Sequence, residues 1–350
     1  MTKPLCLVTG ACGFMGSRMV EVLHEAGYGV RATDLERAYK RDDRKRQWYP
    51  SVLKELKIEF IPADITDPLS LASLVADVEY VFHIAGLFNY TAPYKALRRV
   101  NVDGTRNLLD AFAGREKVKR IVVWGGGGVY GAPSARGGVS FTEDMAPLPG
   151  NDYLRSKWEQ EFLVMEHGRR RSIPYTIIRP TTVYGPRQTY AAGGLIMAAA
   201  KPMLSMVPAN FTFRMPMVHV DDVCGAALFL ASRPEAAGEV YNVNDDSQLR
   251  TVDFFKYTAK VMNHVPVVLP PVPLNLIKRL LGHAADLYMP LWRLITDAPA
   301  PLEKSTIEYL GEDFQYSNDK LKALGYTFKY ADARDGLLAT LDWYRAQGWL

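Results

Sequence analysis

Two groups of residues in this sequence have types and spacings that could do chemistry. Tyr153 and Lys157 stand four apart in the run Asp152 to Glu166, which reads as helical, so both side chains would share one helix face. A phenol with an ordinary pKa of about 10 is a poor base at neutral pH, and a neighbouring ammonium lowers that value by stabilising the phenolate. Such a pair can take the proton of a substrate hydroxyl or return one to a carbonyl. With 19 tyrosines in the chain, a lysine four residues on is expected by chance about once. The pair takes its meaning from its place between the fifth and sixth expected strands.

The second group is the turn Thr9-Gly10-Ala11-Cys12-Gly13-Phe14-Met15-Gly16, which follows a strand-like run and opens into a helix. Gly10 and Gly13 let the backbone turn tightly and approach a pyrophosphate, and Gly16 lets the helix pack close to the strand. The helix N-terminus favours the anionic charge. At the end of the second expected strand stands Asp34, about 20 residues beyond the glycines, where a carboxylate accepts both hydroxyls of an adenosine ribose. The same carboxylate repels a ribose 2′-phosphate, so NAD is the expected cofactor and NADP the lesser one, with Arg31 and Arg37 softening the preference.

These groups need a scaffold, and the first half of the chain supplies its rhythm. Short apolar runs at Leu5 to Thr9, Gly29 to Asp34, Ile58 to Pro62, Tyr80 to Ile84, Arg120 to Trp124 and Tyr175 to Arg179 alternate with amphipathic patterns such as Gly16 to Ala26 and Asn101 to Phe112. That order predicts an α/β fold with a doubly wound, parallel Rossmann sheet. After Pro186 the chain turns rich in Met, Pro and Ala over Gly193 to Pro216, then resumes the sheet rhythm with a helix over Asp222 to Ser232 and a strand at Glu239 to Val243. Helices separated by Pro-rich linkers, such as Val265 to Pro273, follow. The expected division is a dinucleotide-binding domain over 1–186 and 217–245, and a smaller, mainly helical substrate-binding region over 187–216 and 246–350.

Composition narrows the function classes. A chain of 350 residues with 48% hydrophobic and 23% charged residues can bury a large core. Cys6, Cys12 and Cys224 are scattered, with neither zinc spacing nor a disulfide framework, which fits a reduced cytoplasm. The first strand leaves no room for a signal peptide, and no apolar stretch reaches the roughly 18 residues of a membrane span. The basic runs Lys40 to Arg46 and Arg169 to Arg171 read as solvated faces, and no aromatic-plus-basic motif supports nucleic-acid binding. No metal is expected, and His219 reads as a packed, hydrogen-bonded group.

The motifs taken together resemble the extended short-chain dehydrogenase/reductases, also described as the NAD-dependent epimerase/dehydratase family. The G-x-x-G-x-x-G spacing matches that family. So do Ala63-Asp64-Ile65, His83-Ile84-Ala85-Gly86, Asn101-Val102-Asp103-Gly104-Thr105, the Tyr153 to Lys157 segment, Arg179-Pro180-Thr181-Thr182-Val183-Tyr184-Gly185-Pro186 and Val218-His219-Val220-Asp221-Asp222-Val223, in order along nearly the whole chain. The resemblance implies catalysis by Tyr153 and Lys157. It implies cofactor contacts at Gly10, Cys12, Gly13, Phe14, Met15, Gly16, Asp34, Asp64, Ile65, Ala85, Gly86, Asn101, Tyr153, Lys157, Pro180, Thr182 and Val183. It also implies a homodimer formed through the two long helices that flank the central strands.

One departure stands out. Family members carry a Ser or Thr four residues before the Tyr of a Val-Tyr-Gly segment, and here that position is Gly126, within Trp124-Gly125-Gly126-Gly127-Gly128-Val129-Tyr130. The missing hydroxyl would donate to the reacting oxygen, a contribution of about two to four kcal/mol where such donors are removed. Three readings follow: a replacement donor such as Thr181, Thr182, Tyr130 or water; a pocket widened for a bulky substrate; or a protein that binds dinucleotide without turnover. Pro180-Thr181 and the apolar stretch Met203 to Met217 look more like the 3β-hydroxysteroid dehydrogenase and dihydroflavonol reductase side than the nucleotide-sugar side. The expected reaction is therefore at a secondary alcohol or ketone of a bulky, sterol-like substrate, with C-4 decarboxylation as one variant. A nucleotide-sugar epimerase or dehydratase is the alternative, and a dinucleotide-binding regulator the alternative of another class. The apolar series Leu274, Leu276, Ile277, Leu280, Leu281, Leu287, Met289, Leu291 and Trp292 reads either as a packing or dimer helix or as a lid or peripheral membrane surface.

Overall fold

The structure, a computed structural model, describes residues 3–295, 307 and 309–350, and the side chains of 289, 290 and 292–295 lie outside that description. Eleven strands occur among the described residues: β1 (Leu5–Thr9), β2 (Gly29–Thr33), β3 (Glu59–Phe60), β4 (Val78–His83), β5 (Arg120–Trp124), β6 (Tyr175–Pro180), β7 (Thr182–Tyr184), β8 (Met206–Pro208), β9 (Met217–His219), β10 (Glu239–Val243) and β11 (Val267–Leu269). Seven of them form one parallel sheet in the order β10-β6-β5-β4-β1-β2-β3. The central strands are buried on both faces, as in β5, where every residue is buried, which is why they read as continuous apolar runs rather than alternating ones.

Helices cover both faces. On one, the Phe14–Glu25 helix buries Met19, Val20 and Leu23 in a core shared with Val223, Ala227 and Leu230 of the Val220–Ala231 helix. On the other, Leu108, Leu109 and Phe112 of the Gly104–Phe112 helix pack with Leu163 and Val164 of the Asp152–Arg171 helix. Asn151 caps the latter, its side-chain oxygen accepting from the Leu154 amide, which fixes where the helix carrying Tyr153 begins. A further core outside the seven-stranded sheet joins Tyr184, from the expected dinucleotide-binding part, to Ile196, Phe254, Leu337 and Tyr344, from the expected substrate-binding region.

The doubly wound sheet is as expected, and the differences are local. The strand expected over Ile58 to Pro62 shortens to Glu59–Phe60 at the sheet edge, paired on one side only. The helix expected from Asn101 begins earlier, as a π-helical turn over Arg98–Asp103. Its wider turn accompanies a side chain with a distant job, since Asn101 bonds the Leu87 backbone and Ser156. The linker Val265 to Pro273 contains β11, which pairs in parallel with β8 and continues into the Leu274–Ile295 helix. No helix among the described residues is long and apolar enough to cross a membrane.

Candidate active site

Strand order reverses between β1 and β4, and the loops leaving these two strands meet there. Gly10 has φ +66°, and a Cβ on it would stand 2.9 Å from the Ala85 backbone, so the crossing needs glycine for both conformation and space. At Gly16 a Cβ would stand 1.9 Å from the Gly10 carbonyl oxygen, so the helix lies directly on the turn. Gly13, the N-cap of that helix, makes no side-chain cap, which leaves a backbone cradle with room for an anion. Asp34 accepts from the amides of Cys12 and Leu35, and burial nonetheless pushes its pKa up to about 6, so it is ionised at neutral pH. These features, a glycine cradle and an ionised carboxylate beside it, fit the expected dinucleotide.

The surroundings sort the other expected contacts. Ile65 lies against Gly104, whose Cβ would stand 2.8 Å from it, and Asp64 holds the Thr66 amide. Asn101 clamps the loop after β4, accepting from the Leu87 amide and donating to the Leu87 carbonyl and to Ser156. Arg31, expected near the adenosine ribose, is committed elsewhere: it donates to Glu59 and to the carbonyls of Leu74 and Ala76. Of the two arginines only Arg37 acts on Asp34, as a weak lowering influence. His219 caps the Val220–Ala231 helix through the Asp221 amide and is buried.

Tyr153 and Lys157 share the first two turns of the Asp152–Arg171 helix. Lys157 is buried and donates to the Trp124 carbonyl and the Gln160 side-chain oxygen, each at 2.5 Å. Burial pushes its pKa down to about 8, with Glu161 opposing. The expected lowering of the Tyr153 pKa does not appear: burial raises it well above the ordinary phenol value, because the ammonium is directed to the Trp124 carbonyl and Gln160. At neutral pH the phenol is therefore protonated, the form that donates to a carbonyl oxygen.

The glycine-rich loop after β5 distinguishes its members. A Cβ on Gly125 would stand 2.1 Å from Glu161 Oε1, one on Gly127 3.2 Å from the Pro180 carbonyl, and one on Gly128 2.7 Å from Leu154. At Gly126 nothing lies within 4 Å. The position that lacks the family hydroxyl is thus the one with space for a side chain. Tyr130 does not replace it: fully buried, its hydroxyl donates to Asn242 and accepts from Arg179. Thr182 is exposed, and the buried Thr181 hydroxyl has no partner among the described residues, while Thr181 Cα lies 3.4 Å from a Cβ built on Gly127.

Sequence reasoning missed the rings around Tyr153. Phe88 and Tyr90 each stand 5.1 Å from it in edge-on contact, and Tyr190 stands 5.6 Å from Phe88. The aromatic run after His83-Ile84-Ala85-Gly86 was a usable signal for Phe88 and Tyr90. Tyr190 comes from a segment with no motif. Tyr316 is likewise remote in sequence, yet its hydroxyl donates to the Gly127 carbonyl and its ring packs on Tyr130.

The chain is similar to known proteins over nearly its whole length. A ceramide reductase of Caulobacter vibrioides is 29% identical over 98% of this chain and 95% of its own length. The 3beta-hydroxysteroid-dehydrogenase/decarboxylase isoform 2 of Arabidopsis thaliana is 24% identical over 97% of this chain, which spans 62% of that protein. In fold, the Thermus thermophilus UDP-glucose 4-epimerase in complex with NAD superposes with a TM-score of 0.70 over 97% of this chain and 99% of that one, at 23% identity. Residues 6–244, more than half of the chain, match the NAD dependent epimerase/dehydratase family. The chain belongs to that family, and with its Rossmann sheet it is an NAD(P)-dependent enzyme of the extended short-chain dehydrogenase type.

Proposed function

We propose that this enzyme is an NAD-dependent oxidoreductase acting on a secondary alcohol or ketone of a bulky apolar substrate, sterol-like or ceramide-like. The observation that carries the reading is the aromatic cluster at Tyr153, which Phe88 and Tyr90 flank directly, with Tyr190 packed on Phe88 behind them. An apolar skeleton gains from burial against such rings, at about 25 cal/mol per Å² of apolar surface. The open space at Gly126 supports the same reading by widening the pocket beside the reacting oxygen. The relatives that act on ceramide and on 3β-hydroxysteroids support it further.

When bound, the dinucleotide supplies hydride acceptance or donation. The chain supplies the rest. Gly10, Gly13 and Gly16 form the pyrophosphate cradle, and Asp34 receives the ribose hydroxyls and so favours NAD over NADP. Lys157 presents its ammonium at the nicotinamide ribose. Tyr153 passes its phenolic proton to the substrate oxygen in reduction and takes it back in oxidation. Thr181, with its unpaired buried hydroxyl, stands in for the absent serine.

The test is NADH absorbance with the purified enzyme offered hydroxysteroids, ceramides and nucleotide sugars in turn. Net oxidation or formation of NADH with an apolar substrate is expected. Turnover of a nucleotide sugar without net NADH would replace the reading with an epimerase, and absence of any turnover would leave a dinucleotide-binding regulator. In the same assay, Gly126→Ser is expected to change turnover less than about tenfold, because the reading assigns the donor role to Thr181. A gain of a hundredfold would show that no replacement donor exists.

The reading includes peripheral membrane contact. Leu276, Leu280, Leu287 and Leu291 are all exposed on the Leu274–Ile295 helix at spacings of 4, 7 and 4 residues, which places them on one face. Met289 and Trp292 of the same series lie outside the described side chains. Flotation with phosphatidylglycerol vesicles is expected for the parent and lost in Leu280→Ser with Leu287→Ser; equal flotation of both would remove this part. A homodimer, also part of the reading, would use the outer face of the Asp152–Arg171 helix, where Trp158 and the exposed Phe162 pack together.

A further inference from the structure

A line of polar side chains leaves Lys157 away from the substrate side and crosses the sheet end. Lys157 Nζ donates to Gln160 Oε1 at 2.5 Å, and Gln160 Nε2 donates to Thr105 Oγ1 at 2.9 Å. Thr105 Oγ1 also meets His83 Nε2 at 2.8 Å and donates to the Asn101 carbonyl at 2.7 Å. His83 Nδ1 meets Thr9 Oγ1 at 2.8 Å, and Thr9 Oγ1 accepts from the amides of Ile84 and Ala85, each at 3.1 Å. All five side chains are buried.

Counting protons fixes the direction of every bond. Thr105 has one hydroxyl proton and gives it to Asn101, so it must accept from both Gln160 and His83. His83 therefore carries its proton on Nε2 and accepts on Nδ1 from Thr9. Thr9 is saturated in turn by its two backbone donors. A second proton on His83 would leave the Thr9 hydroxyl without an acceptor, in keeping with an imidazole whose pKa burial and Lys157 push down to about 3. With His83 neutral and Thr105 committed, the Gln160 carboxamide has one orientation only, nitrogen toward Thr105 and oxygen toward Lys157. An inverted amide would set Nε2 against the ammonium and Oε1 against a hydroxyl with no proton to give.

We propose that Gln160 is a positioning residue for Lys157, held with its oxygen facing the ammonium by the Thr105–His83–Thr9 chain. The same chain ends on the amides of Ile84 and Ala85, beside the crossing of the β1 and β4 loops, so it ties the lysine to the cofactor cradle. Gln160 and the Trp124 carbonyl are the two acceptors that keep a buried ammonium charged. The titratable groups around Lys157 are Glu161 on its own helix, which favours the charge, Tyr153 one turn earlier, neutral His83 on β4, and Arg179 on β6, whose charge is neutralised by Glu161.

The inference rests on the reading above that Lys157 meets the cofactor. The experiment is NADH affinity, read by NADH fluorescence from mildly acidic to alkaline pH, in the parent and in Lys157→Met, Gln160→Leu, Gln160→Glu and Thr105→Val. The parent is expected to lose affinity as pH rises through about 8, where Lys157 deprotonates, and Lys157→Met to show no such step. In Gln160→Leu the step should move down by about one pH unit, since an acceptor of the charged form is gone. Gln160→Glu should move it up, and Thr105→Val, which frees the amide to invert, should move it down less than Gln160→Leu does. A merely structural Gln160 would weaken binding at every pH and leave the midpoint where it was, and that result overturns the proposal. Should Gln160→Leu not fold, an unmoved midpoint in Gln160→Glu does the same. A step that survives in Lys157→Met instead removes the underlying reading of the lysine.

Discussion

Tyr153→Phe is expected to lower turnover by about 10²- to 10⁴-fold, the range for loss of a positioned proton donor, while NADH affinity changes little. Phenylalanine keeps the ring that packs edge-on against Phe88 and Tyr90, so the aromatic enclosure survives and only the hydroxyl is lost. The sign of the pH dependence follows from the raised phenol pKa. Because burial holds Tyr153 protonated through the neutral and mildly alkaline range, reduction of a ketone should proceed without a rising limb there, whereas oxidation of an alcohol should climb with pH. Reduction should fall only as pH passes about 8, where Lys157 loses its charge. Steady-state rates in both directions, with NADH affinity measured alongside, check this. A Tyr153→Phe enzyme retaining more than a tenth of parental turnover would take the proton transfer away from this residue.

What could be read beforehand and what could not divides along physical lines. The parallel sheet was legible because strands buried on both faces must be apolar throughout, as Arg120–Trp124 largely is, and because the Gly10, Gly13 and Gly16 spacing is required by backbone approach rather than by any distant partner. The position of Asp34 against the glycine turn was legible for a similar reason, since its distance from the glycines follows from one helix and one strand. The rings around Tyr153 could be read only in part, because Tyr190 reaches the site through tertiary packing that leaves no periodic trace. Tyr130 illustrates the opposite error. Its hydroxyl looked available in the sequence, but its place beneath the glycine loop commits it to Asn242 and Arg179. The acidity of Tyr153 was misjudged because spacing places Lys157 on the same face without saying where its ammonium points, and the acceptors that draw it away are a backbone carbonyl and Gln160.

Those same acceptors sit beside the feature with the largest expected effect on stability, the Arg179–Glu161 pair. Arg179 is 2% exposed and Glu161 fully buried, and the guanidinium donates through Nε and Nη2 to Glu161 Oε2 at 2.9 and 2.8 Å. Its remaining nitrogen Nη1 donates to the Tyr130 hydroxyl, the guanidinium carbon lies over the Tyr130 ring, and Tyr130 passes the hydrogen bond on to Asn242 of β10. Breaking such a pair from one side leaves an uncompensated charge in the interior, so Glu161→Ala is expected to destabilise the fold by about 3–5 kcal/mol. Glu161→Met with Arg179→Met removes both charges and should recover much of that loss, because desolvation of the two ions offsets most of their attraction. Denaturant unfolding of the parent, Glu161→Met, Arg179→Met and the double variant closes the cycle, with Glu161→Ala measured beside them. If Glu161→Ala costs under about 1 kcal/mol, the pair is not the brace it is taken to be. If it costs the expected amount, Gly125 is explained as well: a Cβ there would collide with Glu161 Oε1, so the glycine at the end of β5 is required by the buried carboxylate and not by the substrate. Of the four glycines in the loop after β5, Gly126 alone has open space where a Cβ would stand, so its glycine is one the packing does not demand, and the proposed reading assigns it to the substrate.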